Sequence, residues 1–128
     1  MNFKPNEAIK LLEIKIDKYR PFYYAGASGD FNPIHIDNDF AKSVGLGGII
    51  LQGLCTMAYV YRAVMRDKDP SLMKSLKVRF RDVVKPLDEL TIIGKSLHKK
   101  ENLTTVELSA ENQDGKQIIT NSVAVIEN

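Results

Sequence analysis

The apolar positions keep one rhythm in the first half of the chain and another in the second. Residues 1–7 carry no pattern and read as an irregular lead-in. Ile9 to Ile16 is rich in apolar residues, which predicts a first strand over Ala8–Asp17. Asp17 can cap a helix over 18–28, in which Tyr19, Phe22, Tyr23 and Ala27 recur three or four residues apart on one apolar face. Pro21 falls near its first turn, where proline is best tolerated. Asp37 or Asn38 can cap a short helix over Asp39–Val44, and Gly45, Gly47 and Gly48 then break the pattern. Ile49–Met65 is the longest helical candidate. Ile50, Leu54, Met57, Tyr61 and Val64 share a face, with Leu51, Cys55, Ala58 and Met65 beside it. A helix apolar nearly all round is buried, so this one is the expected central helix. Arg62 and Arg66 stand at its end, where cations suit the helix dipole.

After a polar turn at Asp67–Ser71 the period falls to two. Leu76, Val78 and Phe80 alternate with Lys77, Arg79 and Arg81, an outward basic face. Further strands are expected at Glu89–His98, Thr104–Glu111 and Gln117–Glu127, with turns at Glu101-Asn102 and Asp114-Gly115. Helices followed by a run of antiparallel strands predict an α+β fold in which a sheet covers the central helix.

Composition narrows the class without changing that picture. A chain of 128 residues, 44% hydrophobic and 27% charged, suits one soluble domain spanning 1–128. A net charge of +2 is too small to argue for nucleic acid. The single cysteine, Cys55, excludes a disulfide framework and lies in an apolar run, as a small buried hydrophobe would. The start of the chain has no apolar signal core, and the uncharged stretch from Ser43 to Tyr61 holds too many glycines for a membrane span. The expected location is the cytoplasm.

The chemistry concentrates in Gly29-Asp30-Phe31-Asn32-Pro33-Ile34-His35. Pro33 cannot sit inside a regular helix and pushes Asn32 into an extended conformation. The expectation is a rigid turn that fixes Asp30 and His35 as a carboxylate–imidazole pair. Two plainer readings stand beside this one: a turn acid with a surface histidine, and a metal site. An EF-hand loop would need a glycine where Ile34 and His35 stand, and zinc would want more than the one other histidine, His98. No metal is expected. Asn32 can bond to turn backbone groups, and Ser28 reads as a helix-end hydroxyl.

Preceded by Tyr24-Ala25-Gly26-Ala27-Ser28 and followed by an apolar segment ending in Gln52-Gly53, this motif resembles the hydratase motif of the MaoC-like family. That family includes (R)-specific enoyl-CoA hydratases and (3R)-hydroxyacyl-carrier-protein dehydratases. The resemblance extends over Leu76–Leu90 and so covers most of the chain. It implies a hot-dog fold and (R)-specific hydration of trans-2-enoyl-CoA or the acyl-carrier-protein thioester, with the reverse dehydration. It implies Asp30 and His35 as the catalytic pair, Gly53 as the residue whose backbone N–H holds the thioester oxygen, and Asn32 and Ser28 as supporting loop residues. It further implies a homodimer and no cofactor beyond the coenzyme A or carrier-protein thioester of the substrate.

Two positions depart from the pattern. Gln52 stands where many relatives have histidine, and Tyr61 where some hydratases place a serine; Tyr61 is expected to pack. Gly53 also admits a packing role against the sheet. Lys77, Arg79 and Arg81 are expected to be a solvated strand face, with coenzyme A phosphates as the other reading. Two other functions compete: a hot-dog thioesterase, which would commonly carry an acid on the central helix, and a non-catalytic acyl-binding or partner subunit of a heteromeric dehydratase. Leu54 to Arg66 contains no Asp or Glu, and both members of the pair are present.

Overall fold

A computed structural model describes residues 4–128; the part of the expected lead-in on residues 1–3 lies outside them. Five strands, β1 (Ala8–Lys15), β2 (Met73–Phe80), β3 (Glu89–Lys100), β4 (Leu103–Glu111) and β5 (Gln117–Glu127), form one antiparallel sheet in the order β1-β3-β4-β5-β2. The alternation along the last three strands is what builds it. Leu90 and Ile92 on β3, Val106, Leu108 and Ala110 on β4, and Ala124 and Ile126 on β5 all turn to one buried face. Their register brings Ile92 opposite Ala110 and Val106 opposite Ala124. Gly94 opens a notch between the rows: a Cβ there would stand 2.5 Å from Leu11 Cδ1, so only glycine admits the leucine.

Four helices precede most of the sheet: α1 (Arg20–Ser28), α2 (Pro33–Ile36), α3 (Asn38–Ser43) and α4 (Gly53–Met65). Helix α4 lies on the buried face and sends Cys55, Tyr59, Val60, Ala63 and Val64 into the same core as Ile92, Val106 and Leu108. Each fully buried valine, leucine or isoleucine among them contributes about 1.5–3 kcal/mol by leaving water. This is the α+β arrangement expected, and Lys77, Arg79 and Arg81 are exposed as expected; Phe80, expected on the inward face, is exposed too, because the register shifts between Lys77 and Arg79.

The helical half differs from expectation in detail. The central helix begins at Gly53 rather than Ile49, because the backbone of Ile49 to Gln52 is engaged elsewhere. Ile49 N–H donates to Asn38 Oδ1, Ile50 N–H to the Ile34 carbonyl and Leu51 N–H to the Val84 carbonyl. Four extended residues fastened to three neighbours cannot also be helical.

Helix α4 is not buried all round as expected. Leu54 is 66% exposed and Met57 and Tyr61 are half-buried, whereas Cys55, Thr56, Tyr59 and Val60 are inside. On α1 the expected aromatic face is turned to solvent, with Tyr23 62% exposed; Pro21 and Ala25 are the buried residues. On α4, Cys55, Val64 and Met65 are buried as expected of a helix apolar nearly all round, but on α1 periodicity chose the wrong side, since tyrosine and phenylalanine rows look alike whether they meet a sheet or water.

Helix α1 starts at Arg20, and Asp17 instead accepts the Tyr19 N–H at 2.7 Å. Pro33 opens a one-turn helix from its first position, where its missing N–H costs nothing, instead of sitting in an irregular turn. Helix α3 runs one residue earlier than expected, and Asp37 is its cap, accepting from Phe40 N–H at 3.1 Å.

Candidate active site

Short polar side chains draw the loop that carries the motif. Gly29 ends α1 at φ 79°, a left-handed conformation glycine adopts without strain, and its N–H donates to the Ala25 carbonyl. Ser28 Oγ donates to the Tyr24 carbonyl at 2.7 Å and accepts the Asp30 N–H at 3.1 Å. Asp30 Oδ1 accepts the Asn32 N–H at 3.3 Å, and Asn32 Oδ1 accepts the Ile34 N–H at 3.2 Å, capping α2. Each of these residues holds the backbone two positions on or four back. Ser28 and Asn32 thus shape the path on which Asp30 and His35 are set.

His35 is the buried member of the pair, 7% exposed, while the Asp30 side chain is 47% exposed. The imidazole Nδ1 lies 2.8 Å from the Ile50 carbonyl oxygen. A carbonyl only accepts, so Nδ1 carries the proton of the neutral ring and Nε2 presents a lone pair. Nε2 stands 3.7 Å from Asp30 Oδ2, beyond direct hydrogen-bond length but close enough for both atoms to meet one small molecule. The arrangement can take a proton at Nε2 and hold a polar hydrogen at Asp30 at the same time. Ile50 therefore grips α2 twice, through its N–H to Ile34 and its carbonyl to His35. Nothing in the sequence marks that role, because the atoms are main-chain atoms.

Gly53 is the first residue of α4, where backbone N–H groups have no carbonyl one turn back. Gln52 O accepts from both Cys55 N–H and Thr56 N–H, and no acceptor meets the Gly53 N–H among the described residues. The Phe80 ring lies beside it, 3.5 Å from where a Gly53 Cβ would stand, which is ordinary contact. Gly53 therefore packs against an aromatic ring of β2, and a methyl group there would touch that ring without a clash. Phe31 and Leu54 are exposed apolar side chains on the pieces that carry Asp30 and Gly53, and the exposed Phe80 of β2 lies beside Gly53.

Gln52 is buried, and its Nε2 donates to the Pro21 carbonyl at 2.8 Å, tying α1 to the start of α4. Its Nε2 is thus occupied in joining two helices, while its Oε1 is buried and meets no hydrogen-bond partner among the described residues. Tyr61 packs against the core as expected. Burial pushes the Cys55 thiol above its ordinary value, with the Arg20 charge opposing, so the thiol stays protonated. Among the described residues no three His, Cys, Asp or Glu side chains converge as metal ligands would.

The chain is 38% identical over 107 residues to a protein of Dictyostelium discoideum named probable enoyl-CoA hydratase 2, matching 81% of this chain and 35% of that protein. It thus spans about a third of that relative's length. The fold superposes on the unliganded (R)-hydratase PhaJ1 of Pseudomonas aeruginosa with a TM-score of 0.85 at 23% identity, covering 98% of this chain and 82% of the other. It also superposes on a chain of the ChsH1-ChsH2 complex of Mycobacterium tuberculosis, with a TM-score of 0.84, 25% identity and 98% of both chains covered. The fold is the hot-dog fold. The family model described as MaoC like domain matches residues 2–121, and the chain belongs to that family.

Proposed function

We propose that the protein is a hydro-lyase that adds water to trans-2-enoyl thioesters to give the (R)-3-hydroxyacyl thioester, and runs the reverse dehydration. The observation that carries the reading is the 3.7 Å separation of His35 Nε2 and Asp30 Oδ2, with the His35 tautomer set by Ile50. A water about 2.8 Å from each atom fits that gap as the third corner of a triangle. In hydration its oxygen bonds to C3 of the enoyl group as one O–H proton passes to the pair. The C2–C3 π electrons shift toward the thioester carbonyl, and a proton delivered to C2 completes the product.

Negative charge grows on the thioester oxygen during the attack. The Gly53 N–H at the positive end of α4 is placed to meet such charge, in the manner of an oxyanion donor. The thioester itself stabilises the enolate, so neither a metal nor a cofactor enters the scheme. A thioesterase reading would want an acid on α4, whose sequence from Gly53 to Met65 has none. A non-catalytic subunit would have no use for the pair.

The working form in this reading is a homodimer. Strand β2 is an edge of the sheet, and its unpaired side invites another strand. Exposed Leu54 and Phe80 leave apolar surface beside the site for a second copy to cover.

The test is turnover of trans-2-enoyl-CoA by the purified chain, followed as loss of the enoyl-thioester absorbance. The product is then offered to enantiomer-specific 3-hydroxyacyl-CoA dehydrogenases. Consumption by the (R)-specific enzyme is expected; an (S) product, or release of thiol without hydration, rejects the reading. Light scattering on the same sample should give the mass of two chains, and an active monomer would remove the dimer from the proposal.

A further inference from the structure

The three residues before Gly53 hold more of the site than His35 alone. Ile50 fixes the imidazole through its carbonyl. Leu51 N–H donates to the Val84 carbonyl, in the connection between β2 and β3, and anchors the strip there. Gln52 completes it. Its main-chain oxygen accepts from Cys55 N–H and Thr56 N–H in the first turn of α4, and its side-chain Nε2 donates to the Pro21 carbonyl in the first turn of α1. One residue thus grips α4 with its backbone and α1 with its amide.

Stability does not account for a glutamine at this position. Gln52 is 1% exposed, and its Oε1 has no hydrogen-bond partner among the described residues. An unpaired buried oxygen forfeits at least what one neutral hydrogen bond returns, so the Nε2 contact is offset by its neighbour atom. An apolar chain of the same length would fill the space without that loss.

What the contact does fix is the placing of α1. This helix of nine residues buries Pro21 and Ala25 and half-buries Tyr24, while Tyr19, Phe22 and Tyr23 face out. So few inward side chains are a light anchor, and the helix depends on polar ties for its direction. Asp30 stands two residues beyond its end, hung from it by the bond of its N–H to Ser28 Oγ. The Asp30 carboxylate itself is held at one oxygen, by the Asn32 N–H at 3.3 Å, so its place follows the backbone beneath it. A short helix is stiff, and a slide or tilt at Pro21 is passed on to Asp30. The 3.7 Å gap to His35 Nε2 tolerates little of this, since a misplacement of about 1 Å can lower a rate about a hundredfold.

We infer that Gln52 is a positioning residue. Through Pro21 it sets α1, and through α1 it sets the Asp30 carboxylate in the frame shared by His35 and the Gly53 N–H. It touches none of the reacting atoms. The assignment rests on the hydratase reading and deepens it.

The test is Gln52→Met, which keeps length and bulk and deletes the donor and the unpaired oxygen together. With trans-2-enoyl-CoA, kcat should fall about ten- to a hundredfold while KM stays within about twofold of wild type, as for a misplaced group rather than a lost binding contact. The urea midpoint should stay near that of wild type, because the lost bond and the removed oxygen offset each other. In an Asp30→Asn background the same substitution should lower kcat by less than about threefold, since the group it positions is already disabled. A kcat within about twofold of wild type overturns the assignment, and so does an undiminished loss in the Asp30→Asn background. Amide hydrogen exchange reads the tie without turnover: the α1 amides should exchange about tenfold faster or more in Gln52→Met, with those of β4 unchanged. If wild type hydrates no enoyl thioester, the hydratase reading fails while exchange still decides whether Gln52 holds α1. If wild type turns over and α1 exchanges alike in both proteins, the positioning assignment alone falls. Should Gln52→Met lose its native circular dichroism, Gln52→Leu supplies the same readouts; loss of the fold in both assigns Gln52 to stability and overturns the positioning role.

Discussion

The sheet and the loop from Ser28 to Gly53 are held by different means. In β3, β4 and β5 backbone pairs with backbone, and apolar side chains stack on one face. In the loop, side chains of Ser28, Asp30, Asn32, Asp37 and Asn38 hold the backbone, and backbone in turn holds a side chain at His35. The first scheme resists change through burial. The second sets directions, which is what an acid–base pair needs, and contributes less to stability per residue. Substitutions should therefore separate: stability lost in the sheet, rate lost in the loop.

The largest effect should come from the pair. His35→Ala and Asp30→Asn should each lower kcat by roughly 10²–10⁴-fold, as for a lost acid–base group, while thermal unfolding moves little. Because both groups would serve one water, the double variant should lose far less than the product of the two losses. Steady-state kinetics on the four proteins decides it, and multiplicative losses would separate the two roles.

Next in size is a change in the sheet. Ile92 is fully buried opposite Ala110, and Ile92→Ala should cost about 2–5 kcal/mol in urea unfolding. The molecules that remain folded should keep their turnover. A large fall in kcat per folded molecule would break the division between the two regions.

Gly53 stands where the regions meet, and its variant sharpens the contrast. Gly53→Pro removes one N–H at the first helical position, where proline is tolerated, so the fold should survive. The expected loss is about 10²–10³-fold in kcat, the size of one oxyanion donor. A folded variant with near-normal kcat would move that donor elsewhere. Gly53→Ala keeps the N–H and adds a methyl against Phe80 at ordinary contact distance, so it should chiefly raise KM.

The two regions also differed in how well they could be foreseen. The run Gln117–Glu127, rich in Ile and Val after the Asp114-Gly115 turn, located β5 to the residue. The loop's titratable pair was visible as residue types, and the Asp37 cap as a spacing. What stayed hidden was everything made by main chain or by tertiary choice. Ile49 to Gln52 looks helical by its apolar side chains, yet its amides bond to Asn38, Ile34 and Val84, partners distant in sequence. The outward aromatics of α1 obey the same spacing as inward ones.

The carbonyl of Ile50 has a bearing on how this chain can change over generations. It holds the His35 ring, and no amino-acid substitution deletes a main-chain oxygen. Position 50 can therefore accept many side chains, provided the bulk is accommodated, while the tautomer of the imidazole is preserved. A side-chain grip, such as an aspartate behind the ring, would be lost at a single nucleotide change. Mutational drift at position 50 is thus uncoupled from proton transfer, and exchange of Ile50 for other apolar residues becomes a route by which the surroundings of the site can be reshaped without resetting its chemistry.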